Sequence, residues 1–375
     1  MSFTIKKGTK SVYFFLFLIL LSIIILFFLT PEFFSDKILN EVKNKIKETA
    51  KALSTPALPP LDIVAYDKKL DEIANNPPPK IIAPKKDQDG KEISAPITLS
   101  PVYLWPAKTV YPNAGAILPF NRIVAYYGNL SSKGMGVLGQ YPEDEMLAKL
   151  KAEVEKWNVA DPFTPVIPAL HYIAVVAQGS AGQDGKYKAR MSDTEVEKVL
   201  KIAEKINALV FLDIQVGFST LETEIPLLEK YLKMPQVHLG IDPEFSMKTG
   251  IRPGKEVGTY DAADINFVAN YLAKIVQENN LTPKILVIHR YTQKMVTNYK
   301  EIKPLPEVQI VMHMDGWGEA ARKINTYQQF VYKEPVQFTG FKLFYKNDVF
   351  TPGTFLMTPD DLLKLNPQPT YIQYQ

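Results

Sequence analysis

Carboxylates, histidines and aromatic residues recur in this chain directly after short apolar runs. Asp213 and Gln215 close LVFLDIQ, Asp242 and Glu244 close VHLGIDPE, His289, Arg290 and Tyr291 follow ILVI, and His313 and Asp315 end VQIVMHMD. Tyr126 and Tyr127 end RIVAYY, while Lys342 and Tyr345 end FTGFKLFY. Extended side chains alternate in direction, so Asp213 with Gln215, Asp242 with Glu244 and His313 with Asp315 are each expected on one side of a sheet. Carboxylates crowded at one rim repel one another, which raises at least one pKa. A protonated acid beside an ionised one is the equipment of glycoside hydrolysis. Glu244 ranks first as general acid, because the ring of Phe245 follows it and can shield its carboxyl from water. Asp242 or Asp213 is its expected carboxylate partner. Tyr127, Gln215, Phe245, His289, Asp315, Trp317, Lys342 and Tyr345 are the expected substrate-binding residues, the aromatic ones by stacking on sugar faces.

Each of these residues also has a plainer reading. An aspartate after a strand often caps the next helix or makes an Asx turn, which applies to Asp213 and to Asp315 in its MDGWG setting. Asp261 and Asp264 in YDAADIN read as caps, and His171 and His238, early in apolar runs, read as core histidines. A metal-dependent hydrolase or deacetylase built on His289, His313 and Asp315 is an alternative, although no H-x-H or H-E-x-x-H spacing occurs. No metal and no cofactor is expected. There is no G-x-S-x-G and no cysteine, so serine and cysteine nucleophiles find no support.

The elements that would position these groups are legible in the periodicity. Eight β-branched-rich runs span 122–127, 166–177, 209–215, 237–242, 285–289, 308–313, 338–344 and 370–374. Amphipathic segments expected as helices lie between them, at 142–157, 192–206, 222–232, 261–278, 318–330 and 358–365, with the weakest helical signal at 292–304. Ser192 and Glu195 form an S-x-x-E capping box. Alternating βα units over residues 115–375 are of the size of one (β/α)8 TIM-like barrel, in which chemistry sits at the C-terminal ends of the strands. A doubly wound open sheet is the runner-up. Gly134, Gly136 and Gly139 do spell G-x-G-x-x-G, but they stand beyond the first strand with no acidic ribose partner, and a βα loop explains them as well.

The N-terminal part is of another kind. Residues 11–31 carry no charge over 21 positions, enough to cross a bilayer as a single helix, and they lack the small-residue exit of a cleaved signal peptide. We read a cytoplasmic tail at 1–10, a retained signal anchor at 11–31, and a juxtamembrane helix with a Pro-rich stalk at 32–110. That stalk holds ten prolines between Pro56 and Pro106, and a small helix is expected within it around 62–74. Basic residues flank both sides of the span. The size of the domain behind it favours a single-pass cell-membrane protein whose C-terminal domain is extracytoplasmic. The chain is 46% hydrophobic and 22% charged with a net charge of +3, and it has no basic stripe, so no nucleic-acid partner is expected.

The strings RIVAYYGN, GMGVLGQYP, PALHYIAVVAQG, LVFLDIQVGFST, HLGIDPEFSM, TYDAADIN and QFTGFKLFYK resemble a family of exported bacterial proteins described as hypothetical or as lipoproteins. The likeness covers nearly all of 120–375. It implies an exported barrel resembling glycoside hydrolases, with a membrane anchor in place of a lipidated cysteine. Asp242-Pro243-Glu244 is similar to the closing D-x-E of family 18 chitinases, in which the Glu is general acid and the Asp orients an acetamido group. Here Gly240 stands at the motif's earlier aspartate, and Pro243 interrupts the strand. FTGFKLFYK lacks the strand-seven carboxylate of the common retaining clan. The reading favoured is a glycoside-hydrolase-like protein acting on cell-envelope or environmental polysaccharide. A non-catalytic glycan-binding or surface module on the same barrel is the second.

Overall fold

The computed structural model describes residues 58–82, 97–99 and 102–375. The expected tail, anchor and juxtamembrane helix lie outside the described residues. Among the described residues no helix is long and apolar enough to cross a membrane.

Eight strands form the centre: β1 (Arg122–Gly128), β2 (Val166–Ala177), β3 (Leu209–Ile214), β4 (Val237–Ile241), β5 (Lys284–Arg290), β6 (Val308–Met314), β7 (Phe338–Leu343) and β8 (Tyr371–Tyr374). Each pairs in parallel with the next in chain order. β8 returns to β1, placing Tyr371 opposite Ile123 and Tyr374 opposite Tyr126, so the barrel is closed and the open sheet is set aside. The runs are almost continuously apolar because both strand faces are covered. Val124, Leu170, Leu212, Leu286, Ile310 and Phe341 point outward to the helices. Ile123, Ala169, Phe211, Val287, Val311 and Phe338 fill the lower interior. Toward the strand C-termini the interior turns polar, with His171, Asp213, His289, His313, Lys342 and Gln373 all buried. Buried charges persist only where they are paired, so this layer is where sequence and packing part from a plain core.

The helical layer follows the capping signals. Ser192 and Glu195 close a capping box on Asp193–Glu204, and Asp261 and Asp264 close one on Ala262–Asn279. The expected helix at 222–232 is broken into a turn Leu221–Glu224, a 3-10 segment Ile225–Leu228 and Glu229–Leu232, because Pro226 has no N–H for an α-helical bond. The helix expected over 358–365 shrinks to Pro359–Leu362, and the β5–β6 crossover holds the 3-10 turns Gln293–Met295 and Tyr299–Glu301 with the short strand Val296–Thr297 between them.

The expected domain boundary near 110–115 is corrected, since the compact unit runs from Pro59 to Gln375. Within it, α1 (Ile63–Ala74) closes the bottom of the barrel. Tyr66, Leu70 and Ile73, spaced as one helical face, pack with Leu118, Ile123, Phe338 and Tyr371. Backbone and amide bonds complete the attachment: the Gln368 N–H donates to the Ile73 carbonyl at 2.7 Å, and Asn75 Nδ2 donates to the Leu365 carbonyl at 2.9 Å. Ile73→Val should therefore cost about 0.5–1.5 kcal/mol and shift one cooperative transition of the whole barrel. Circular dichroism and intrinsic fluorescence melts of that variant should coincide. An unchanged barrel melt would mean that α1 is a separate element.

Candidate active site

The polar layer opens at the strand C-termini into a cavity of about 560 Å³. Its wall carries Tyr127, Gln215, Asp242, Glu244, Phe245, Tyr291, Asp315, Trp317, Lys342 and Phe344, so eight of the eleven expected site residues face one space. β1 and each of β3 to β7 supply these groups at or just beyond their ends. The loop after β1 adds Met135, and Gly136 with φ 139° lets that loop lie against the Tyr127 carbonyl, where a Cβ would come within 2.3 Å. The glycine run thus serves close packing at the rim.

Glu244 does not reach the cavity by strand alternation. β4 ends at Ile241, and Pro243–Phe245 form a 3-10 turn capped by Asp242, whose Oδ1 accepts from the Glu244 N–H at 3.0 Å. Pro243 at the first turn position sets that geometry. Burial raises the Glu244 carboxyl above its ordinary value, and nearby Asp315 adds to the rise, against a hydrogen bond from the Tyr291 hydroxyl and the attraction of Lys342. Asp242 is pushed up well above the carboxylate range by burial; His289 opposes this, and Glu244, Asp213 and Asp315 reinforce it. Asp242 Oδ2 has Gln215 Nε2 at 3.5 Å, and Gln215 in turn bonds the Tyr127 hydroxyl and the Ala177 N–H.

Asp315 is the ionised member of the set. Burial alone would raise it, but Lys342 Nζ at 2.9 Å and His289 Nδ1 at 2.8 Å hold it far below the ordinary range. Lys342 also stands 3.8 Å from the centre of the Tyr127 ring, a cation–π contact in a nearly dry site. Trp317 is 50% exposed at the rim and carries the Arg322 guanidinium 5.0 Å over its ring.

Three expected site residues lie elsewhere. Asp213 stands opposite Gly240, two residues before Asp242, and is therefore fully buried one layer below the cavity. His289 lies in the same lower layer, with Nε2 3.5 Å from Asp213 Oδ1 and with its pKa pushed up to about 10: burial lowers it, but Asp213 and Asp315 outweigh burial. Tyr345 points to the opposite face, stacked on Tyr374 with its hydroxyl on Glu153. The inward neighbour Phe344 takes its place on the cavity wall, a parity that the sequence itself carried. Tyr291 and Arg322 were missed. Tyr291 shared the polar triplet after β5, whereas nothing in the sequence marked Arg322 as reaching Trp317.

The four histidines of the chain all point into the barrel. His238 is a core residue, neutral through burial and accepting the Ile285 N–H at 3.0 Å. The His289, His313 and Asp315 set expected for a metal hydrolase does not converge as ligands; the group that does is His171, Asp213 and His289.

Asp242 makes a pH-dependent prediction. Its folded pKa is raised above the unfolded value of about 3.9, so its contribution to stability is complete below that pH and is lost as pH rises through the folded value. Asp242→Asn keeps the acceptor for the Glu244 N–H and cannot ionise. The melting-temperature difference, variant minus parent, should therefore grow from pH 4 to pH 8. A difference that stays flat or reverses would show that the fold favours the ionised carboxylate.

No family model and no curated protein matches the chain. Solved structures it is similar to include a trimodular GH5_4 subfamily endoglucanase, 11% identical with a TM-score of 0.36, covering 69% of this chain and 56% of that one. This chain thus spans little more than half the length of that enzyme. Bacillus subtilis mannanase man26 is 11% identical with a TM-score of 0.37, over 71% of this chain and 88% of that one. Burkholderia cenocepacia dihydropteroate synthase is 9% identical with a TM-score of 0.30, over 68% and 86%. The chemistry of this barrel is accordingly read from its own residues.

Proposed function

We propose that this protein is a membrane-anchored, extracytoplasmic glycoside hydrolase-like enzyme acting on cell-envelope or environmental polysaccharide by paired-carboxylate acid/base chemistry. The observation that carries the reading is the placing of Glu244, whose pKa burial raises, and Asp315, held ionised by Lys342 and His289, on one aromatic-edged cavity. In this reading Glu244 gives its proton to the glycosidic oxygen as the bond to the anomeric carbon breaks. Asp315 stabilises the positive charge that develops on the sugar. Water then adds to the anomeric carbon and returns a proton to the Glu244 carboxylate. Asp242, whose carboxyl burial pushes toward its protonated form, donates or accepts a hydrogen bond on the substrate, and Tyr127, Phe245, Trp317 and Phe344 offer rings to sugar faces. Asp213 has no part in the transfer, because it does not reach the cavity.

The uncharged run 11–31 supports anchoring, and a fusion reporting the compartment of the C-terminus tests it; a cytoplasmic signal would remove the envelope assignment. The chemistry is tested by incubating the full chain with soluble glucans, mannans, chitin oligosaccharides and peptidoglycan and measuring new reducing ends. Binding without release of reducing ends would move the assignment to a non-catalytic glycan-binding module.

A further inference from the structure

Below the cavity floor, three side chains present donor atoms to one another on the barrel axis. His171 Nε2, Asp213 Oδ1 and His289 Nε2 lie within 4.8 Å of one another, and all three residues are 0% exposed. Asp213 Oδ1 is 3.3 Å from His171 Nε2 and 3.5 Å from His289 Nε2, without the alignment of a hydrogen bond. Among the described residues none of the three atoms has a hydrogen-bond partner. Buried polar atoms left so are rare and call for an occupant. The far atoms, by contrast, are all held. His289 Nδ1 is 2.8 Å from Asp315 Oδ2, His171 Nδ1 is 2.6 Å from the Tyr371 hydroxyl, and Asp213 Oδ2 accepts from the Tyr127 hydroxyl at 3.2 Å. With Nδ1–H donating outward to oxygen, each imidazole turns the lone pair of Nε2 inward, which is the carboxylate–histidine arrangement of metal sites. Gly240 completes the cradle: a Cβ there would come within 2.5 Å of both Asp213 Oδ1 and His171 Nε2.

We propose that His171, Asp213 and His289 form a buried site for one divalent transition-metal ion of the zinc class, tying β2, β3 and β5 together beneath the cavity. Two ligands about 2.1 Å from a tetrahedral zinc stand about 3.4 Å apart, which matches both separations at Asp213 Oδ1. Two imidazoles with one carboxylate select zinc, cobalt, iron or nickel over magnesium and calcium, whose preferred shells are oxygen. The ion takes the place of any proton on His289 Nε2, and its charge sits where the barrel interior already concentrates carboxylates. The site shares His289 with the acid/base reading, through the contact of its Nδ1 with Asp315, but neither Glu244 nor Asp315 is a ligand.

The test uses the full chain, stripped with a chelator and titrated with Co²⁺, Zn²⁺ and Mg²⁺ in turn. One equivalent of Co²⁺ should bind with the visible absorption of a low-coordinate nitrogen–oxygen site, Zn²⁺ should displace it, and either ion should raise the melting temperature. Mg²⁺ should do neither. His171→Ala should abolish the Co²⁺ spectrum. Tyr371→Phe, which keeps the ring in the core and removes the oxygen on His171 Nδ1, should weaken Co²⁺ about 10–100-fold and decides the matter if His171→Ala does not fold. No stoichiometric uptake by the stripped parent, or uptake unchanged in Tyr371→Phe, overturns the site. Metal uptake in a protein that cleaves no glycan leaves the site standing and removes only the acid/base assignment.

Discussion

Glu244→Gln should lower turnover of a confirmed glycan by about 10²–10⁴-fold, the range that a positioned general acid contributes, with binding of that glycan and the melting temperature nearly unchanged. The expectation follows from where the carboxyl sits. Glu244 is held by a short turn and, among the described residues, by no ion pair, so glutamine can occupy the same volume with no charge left unpaired, and the chemistry loses its exchangeable proton. In the parent, the acid must be protonated to act. Because its folded pKa is raised, kcat/KM should be flat at low pH and fall as pH rises through that value, and the glutamine variant should lack this limb. The measurements are reducing-end release across pH and a thermal melt on the same preparations. A large drop in melting temperature, or hydrolysis that survives the substitution, would remove Glu244 as the acid.

Lys342→Met should destabilise the barrel by about 3–5 kcal/mol, the cost of breaking a buried ion pair from one side. Lys342 and Asp315 are both nearly excluded from water and stand 2.9 Å apart. Removing the ammonium leaves the carboxylate with His289 alone and also removes the cation from the Tyr127 face. Methionine fills most of the volume, so the loss is one of charge rather than of packing. The partner test is Lys342→Met combined with Asp315→Asn. The double variant should recover part of the loss, since the surviving buried charge is gone, and the four melting free energies form a cycle whose coupling term measures the pair. Strict additivity would mean that the two groups do not sense each other.

Much of this molecule is written in its periodicity. Strands buried on both faces need unbroken β-branched runs, and helices announce their starts through side chains such as Ser192 and Asp261, so the order of eight strands and the crossovers between them was readable locally. Polar residues at the ends of those runs marked the working end of the barrel for the same reason: an apolar pattern that stops being apolar while still buried is conspicuous. Two further signals were present in the sequence. Tyr66, Leu70 and Ile73 form one helical face that requires a surface to cover, which α1 finds at the barrel floor. Lys342 and Tyr345 are three apart where the chain leaves β7 and do not share a side, which leaves the cavity to Phe344.

What only the tertiary structure decided is depth. Alternation says which face a residue takes, but the layer it occupies in a closed barrel depends on the stagger between neighbouring strands, a relation among residues far apart in the chain. The register that sets Asp213 opposite Gly240 drops that aspartate one layer below Asp242. It thereby converts an expected catalytic partner into the neighbour of His171 and His289. Charge state was decided the same way. Asp315 and Asp242 are the same residue type on adjoining walls, yet one is held ionised by Lys342 and His289 while the other is driven toward its protonated form by burial. Ionisation follows the surroundings that the fold assembles, and those surroundings are contributed by six different strands and loops that no local stretch of sequence contains.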